Sequence, residues 1–159
     1  MWTQTILVVV MGLSLVTWPG PMYGQSQAPW FGTWRLNPGK STANRDPRFK
    51  RVTSTIEPWE NGLKVSYDMV GSRGGVTHLE WSGKLDGRDY PVQGVDYLLT
   101  NAYSPLDDRS YRIVIKVDGA VAATATAVIS PDGKTLTTNT LEKNARGQDV
   151  RTVTVYDRQ

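Results

Sequence analysis

From Pro29 onward, apolar and polar residues alternate with a period of two in one segment after another, and no stretch holds helical spacing for more than two turns. Leu63, Val65, Tyr67 and Met69 alternate with Lys64, Ser66 and Asp68. Leu79, Trp81 and Leu85 share a phase opposite His78, Glu80 and Lys84, and Tyr111, Ile113, Ile115 and Val117 repeat the pattern. Each segment reads as a strand with one buried and one wet face. Residues 31–36, 52–58, 97–103, 121–129, 135–141 and 150–157 are further candidates, which makes about nine strands. The connections carry turn chemistry: Asn61-Gly62, Gly71 to Gly75, Asp86-Gly87, Asp118-Gly119, Pro131-Asp132-Gly133 and Arg146-Gly147. Turns this short demand antiparallel neighbours, because a parallel pair needs a crossover of about a dozen residues or more.

The pattern therefore predicts an all-β fold in which an antiparallel up-and-down meander of about eight to ten strands closes into a β-barrel, since closure removes the exposed edges of a long meander. The alternative is an open sandwich of the immunoglobulin type, for which only residues 37–50 and 90–96 offer long connections. Residues 37–50 have no apolar periodicity, two prolines and four basic residues, and are expected to form a loop over one end.

The first 24 residues contain no Lys, Arg, Asp or Glu. Within them Ile6 to Val16 is an apolar run of 11, too short to span a bilayer but of the length of a secretory-signal core. Pro19, Gly20 and Pro21 end that run, and small residues at Gly24 and Ser26 offer cleavage positions. The n-region lacks a basic side chain, and an uncleaved membrane anchor is the alternative. The expected organisation is a signal peptide over 1–24 and one barrel domain over 25–159, with a periplasmic or secreted destination set by export rather than by membrane insertion of the mature chain. Of the 159 residues, 18 are Lys or Arg and 15 Asp or Glu, a net charge of +3 without basic runs, which argues against nucleic acid as a partner. There is no cysteine, so disulfides and thiolate metal sites are excluded.

Catalysis requires a nucleophile, a base and an orienting group, or a metal with enough ligands. The single histidine, His78, falls on the polar face of its strand and is expected to be solvated. Asp107-Asp108 lacks the spacing of a calcium loop, and the Gly71 to Gly75 segment joins two strands rather than a strand to a helix, so it is a hairpin loop. No catalytic residue, cofactor or metal is assigned. The aromatic residues Trp59, Tyr67, Trp81, Tyr97, Tyr103, Tyr111 and Tyr156 are expected in the core. By contrast, Ala123, Ala125 and Ala127 on one face, Thr124 and Thr126 on the other, then Thr138, Thr140, Thr152 and Thr154, leave one side of the barrel without bulky filling. A barrel of about eight strands so lined can keep a cavity for one small ligand.

Phe31-Gly32-Thr33-Trp34-Arg35-Leu36 resembles the Gly-x-Trp opening of lipocalins and fatty-acid-binding proteins, the calycin group. The segment Asp132 to Leu136 followed by Val153 to Arg158 is similar to the last hairpin of the fatty-acid-binding proteins, and the stretch from Phe31 to Gln159 resembles exported bacterial lipocalin-like proteins. The resemblance implies that Trp34 plugs one end of the barrel and that Arg158, from the last strand, lies across its ring. It also implies a ligand site in the lumen. However, the Arg that holds a carboxylate two residues before the last-strand Tyr in fatty-acid-binding proteins is here Thr154, and Arg151 falls on the opposite strand face. The helical lid of that family has no counterpart in residues 37–50. The expected function is non-catalytic binding of a small apolar or amphipathic molecule, with Tyr67, Met69, Trp81, Tyr111 and Tyr156 lining the lumen. The alternative is a filled barrel that serves as a structural or protein-interaction domain of the cell envelope.

Overall fold

The computed structural model describes residues 29–42 and 49–159. The expected signal peptide and the middle of the 37–50 connection lie outside them. Ten strands follow one another in the described chain: β1 Gly32–Leu36, β2 Phe49–Trp59, β3 Gly62–Gly71, β4 Val76–Lys84, β5 Tyr90–Gln93, β6 Leu99–Asp107, β7 Ser110–Val117, β8 Ala120–Ile129, β9 Thr135–Lys143 and β10 Asp149–Arg158. Every strand pairs antiparallel with its sequence neighbours, and β1 pairs with β10, so the meander closes into a barrel and the open sandwich is excluded.

The sequence places nine of these strands, and the tenth shows where alternation is a poor guide. β5 is four residues long and contains Pro91, which cannot donate to a ladder; two residue pairs hold it on each side. β6 begins at Leu99, two residues later than expected, and runs on to Asp107 through Pro105, with a register shift between Pro105 and Asp107. Proline is tolerated there because a bulge has already broken the ladder. Tyr97 is consequently outside the strand and exposed, not in the core. The 37–50 segment is not wholly loop: Pro38–Lys40 makes one 3-10 turn, and Phe49 and Lys50 already belong to β2.

Register fixes which faces turn inward. Tyr67 lies opposite Leu79, Val65 opposite Trp81, Tyr103 opposite Ile113, Ile113 opposite Ala125, Ala127 opposite Thr138, and Thr138 opposite Thr154. The alanine face of β8 is thus the inner one. Thr138, Thr140, Thr152 and Thr154 share that side, while Thr124, Thr126, Arg112 and Arg151 face outward.

The β1–β10 seam spans only three residue pairs, Trp34 with Arg158, Arg35 with Asp157 and Leu36 with Tyr156. Beyond it the chain continues the ladder with hydroxyls in place of strand backbone. Asn37 N donates to Val155 O at 2.8 Å and Thr42 N to Val153 O at 2.8 Å. The Ser41 and Thr42 hydroxyls accept from Val155 N and Val153 N at 2.9 and 2.7 Å. Val153 and Val155 therefore keep satisfied backbone groups without a full-length partner strand.

Trp34 is completely buried at the end of the barrel that holds the chain termini of the domain. Its indole Nε1 donates to Trp30 O at 3.0 Å, and the Arg158 guanidinium lies 4.3 Å above the ring centroid. Arg158 also donates to Gly133 O at 2.7 Å, to Phe31 O at 2.8 Å and to Pro29 O. The planar five-donor fork is what allows one side chain to serve three carbonyls while stacking on an indole. Gly32 makes room for it: the backbone there has φ of 139°, and a Cβ would lie 2.9 Å from Arg158 Nη1.

Replacing Trp34 by Ala is expected to cost about 3 to 5 kcal/mol, the range for large aromatic truncations in cores, whereas His78→Ala on the outer wall should stay within about 0.5 kcal/mol. Urea unfolding of the two variants checks this, and equal midpoints would contradict it.

Candidate functional site

One wall of the lumen is aromatic. Trp30 packs on Tyr111 with ring centroids 4.0 Å apart, Tyr111 lies 5.1 Å from Tyr103, Tyr103 stacks on Trp81 at 4.0 Å, and Trp81 meets Tyr90 edge-on at 6.1 Å. Alternation explains the ladder, because β4, β6 and β7 each place an aromatic at an inward position and the short β5 between β4 and β6 supplies Tyr90. Gly83 is needed beside it, since a Cβ there would fall 2.6 Å from the Trp81 ring and 2.7 Å from that of Tyr90. The Trp81 indole is satisfied by the Asn101 backbone carbonyl at 3.1 Å.

The opposite wall is built from small side chains. Ala123, Ala125 and Ala127 are buried on β8, and Thr138, Thr140, Thr152 and Thr154 follow on β9 and β10 with partial exposure. From the Trp34 floor to Glu142 at the rim, the inward positions fixed by the register carry no charge apart from Arg158, which is committed to Trp34 and the three carbonyls. The lumen is neutral.

Of the five residues expected to line a ligand, Trp81 and Tyr111 are buried in the aromatic ladder, and Tyr67, Met69 and Tyr156 are half-buried at inward positions. Tyr67 and Tyr156 pack against the core cluster and still keep accessible surface. Tyr103, which is 2% exposed, joins them through the ladder. Ser54 and Asn101 were not foreseen. Their signal was phase: Ser54 alternates inward between Val52 and Ile56, and Asn101 between Leu99 and Tyr103.

These polar groups lack partners. Ser54 is 1% exposed and its Oγ has no hydrogen bond of full geometry; Asn101 Oδ1 likewise accepts none. The Tyr67 hydroxyl approaches Ser54 closely enough to ease its own ionisation. No hydrogen bond joins the hydroxyls of Tyr103, Tyr111 and Tyr156 to another described residue, and their acidity answers to burial first and then to neighbouring phenols, Tyr67 in each case. Burial is the largest cause in all four tyrosines and pushes each phenol above its ordinary value, most strongly at Tyr103, Tyr111 and Tyr156, where nearby phenols add a smaller push in the same direction, whereas Ser54 partly offsets it at Tyr67. Four neutral O–H groups therefore remain available as donors at physiological pH.

The outer wall gathers the titratable groups that the lumen lacks. His78 Nδ1 lies 2.8 Å from Asp68 Oδ1 and Lys64 Nζ 2.9 Å from Glu80 Oε2, all on the wet face of β3 and β4. This places His78 away from the lumen. Among the described residues no group of three or more His, Cys, Asp and Glu could hold a metal ion. Two cavities lined by described residues also lie on this outer side, about 180 Å³ between Arg112 and Arg151 and about 80 Å³ beside Arg35, Phe49 and Arg51.

The raised tyrosines have a consequence at alkaline pH. An unfolded tyrosine ionises near pH 10, so stability from these four phenols is fully present below about pH 10 and is lost as the pH rises beyond it, when the unfolded chain gains phenolate charge first. Phenolate absorbance should show Tyr67, Tyr103, Tyr111 and Tyr156 ionising only together with loss of the fold. Ordinary titration of all tyrosines in an intact barrel would contradict their burial.

No family model and no curated protein matches the chain. Among solved structures it is similar to a chain described as "The Siderocalin Ex-FABP functions through dual ligand specificities", with 14% identity over 82% of this chain and 71% of that one and a TM-score of 0.39.

Proposed function

We propose that the protein is an exported, non-catalytic barrel that holds one small apolar or amphipathic molecule in its lumen. The observation that carries this reading is the pair of buried polar atoms without partners, Ser54 Oγ and Asn101 Oδ1, set beside inward phenols that no hydrogen bond ties to another described residue. A buried polar atom left unpaired costs about 1 to 3 kcal/mol, so a lumen that holds two of them is suited to completion by a guest, either ordered water or a ligand with hydrogen-bonding atoms. The aromatic wall supplies the apolar contact area, and the alanine and threonine wall leaves room opposite it.

Neutrality defines the guest further. With Thr154 at the carboxylate-binding position of the fatty-acid-binding proteins and Arg151 on the outer face, the lumen offers no cation to a fatty acid headgroup. The tyrosines, kept neutral by burial, suit acceptor oxygens of an uncharged molecule. Export rests on the uncharged N-terminal segment with its 11-residue apolar run, and the absence of catalysis rests on His78 standing on the outer wall.

A second reading, a barrel that docks a partner, draws on the exposed Val76, Tyr97, Leu98 and Val121, which all belong to the end opposite Trp34. Dye binding separates the two. An environment-sensitive apolar dye should saturate the mature protein at one site, and Thr138→Phe, an inward half-buried position, should lower that affinity at least tenfold with little loss of stability. Asn139→Phe, the outward neighbour, should leave dye binding unchanged. If the parent binds no dye and Thr138→Phe is destabilised by about 1 to 3 kcal/mol, the overpacking range, the lumen is filled and the partner reading replaces ours.

A further inference from the structure

The 180 Å³ cavity on the outer wall has a composition that the lumen reading does not use. Register explains how it forms. Arg112 on β7 faces Thr126 on β8, which faces Asn139 on β9; Arg151 on β10 faces Leu141 on β9, which faces Thr124 on β8. Two strands thus separate the arginines, and the outward side chains on those strands are Thr124, Thr126, Asn139 and Leu141. Long arginine stems stand at either side of a floor made mostly of short polar groups, and both arginines border the same cavity.

The charge in this trench is uncompensated. Neither Arg112 nor Arg151 has an ion-pair or hydrogen-bond partner among the described residues. No acidic residue lines the cavity, and Asp149, the next outward residue to Arg151 on β10, is held instead by Lys143 at 2.8 Å. Elsewhere on the wall, by contrast, Lys64 and Lys116 meet Glu80 and Asp89 within 2.9 Å. Two guanidiniums at the sides of a recess over a protein floor focus a positive potential into it.

We infer that this groove binds a phosphate monoester. Guanidinium forks match the oxygens of a tetrahedral dianion and can donate two hydrogen bonds each. The Thr124 and Thr126 hydroxyls and the Asn139 carboxamide add neutral donors between them, and Leu141 offers an apolar edge for the carbon skeleton of the ester. A volume of about 180 Å³ admits the phosphate and a short alcohol portion, below the roughly 300 Å³ at which pockets for drug-sized molecules begin. The phosphate group is common to a free small ester and to a lipid headgroup, and the site is independent of what the lumen holds.

Titration calorimetry of the mature protein with glycerol 3-phosphate, with glycerol as the uncharged control, tests the inference, alongside flotation with phosphatidylcholine vesicles containing phosphatidic acid. We expect saturable binding in at least one of the two phosphate arms, weakening as salt is raised, and reduced at least tenfold in Arg112→Gln and in Arg151→Gln. Both residues are exposed, so the thermal unfolding of each variant should match the parent. Stronger binding of glycerol 3-phosphate assigns a free ester, and stronger binding of the vesicles assigns a lipid headgroup. Absence of binding in both arms would overturn the inference, as would binding that both variants retain or glycerol binding as tight as its phosphate.

Discussion

Arg158 is bound at once to an indole face, to Gly133 of the β8–β9 turn and to Phe31 and Pro29 ahead of β1. One side chain from the last strand thereby joins the two ends of the domain. The seam it guards is short, three residue pairs extended by Ser41 and Thr42, yet without it the meander would expose the edges of β1 and β10. The stacked cation, the positive φ of Gly32 and the complete burial of Trp34 are one arrangement. Each is required by the others, and together they close one end of the barrel and give the lumen a floor.

Above that floor the two sides of the barrel differ in side-chain volume. β4, β6 and β7 send Trp81, Tyr103 and Tyr111 inward, whereas β8, β9 and β10, beyond Ile129, Leu136 and Tyr156 near the floor, send alanine and threonine. A packed interior would interdigitate large with small across the axis until no polar atom lacked a partner. Here the phenols keep their hydroxyls free, and their ionisation is suppressed chiefly by burial. Apolar surface and unmet hydrogen-bonding capacity on one neutral inner face are the properties on which the proposed binding function rests.

Alternation made most of this architecture legible, because a barrel strand with a dry inner face imposes period two on its own sequence. Trp81 and Tyr111 could be read as inward from their phase alone. β5 could not be read, since four residues with Pro91 among them carry too little pattern, and Pro105 concealed the second half of β6 by standing at a bulge. Trp30 was missed because it precedes the first strand, and nothing local shows that its ring reaches Tyr111 or that its carbonyl serves Trp34. Ser54 and Asn101 had the right phase but the wrong character for a search that sought apolar lining. The meeting of Arg112 and Arg151 depends on the register of four strands, which no local pattern encodes.

The central claim, that the lumen is completed by a guest, is tested most directly by native mass spectrometry of the full chain expressed from its own N-terminus and purified gently from its own host. The account predicts a chain beginning near Gln25 that carries one tightly retained small molecule, which Thr138→Phe displaces. A chain of bare mass in both parent and variant, with the fold intact, would contradict it.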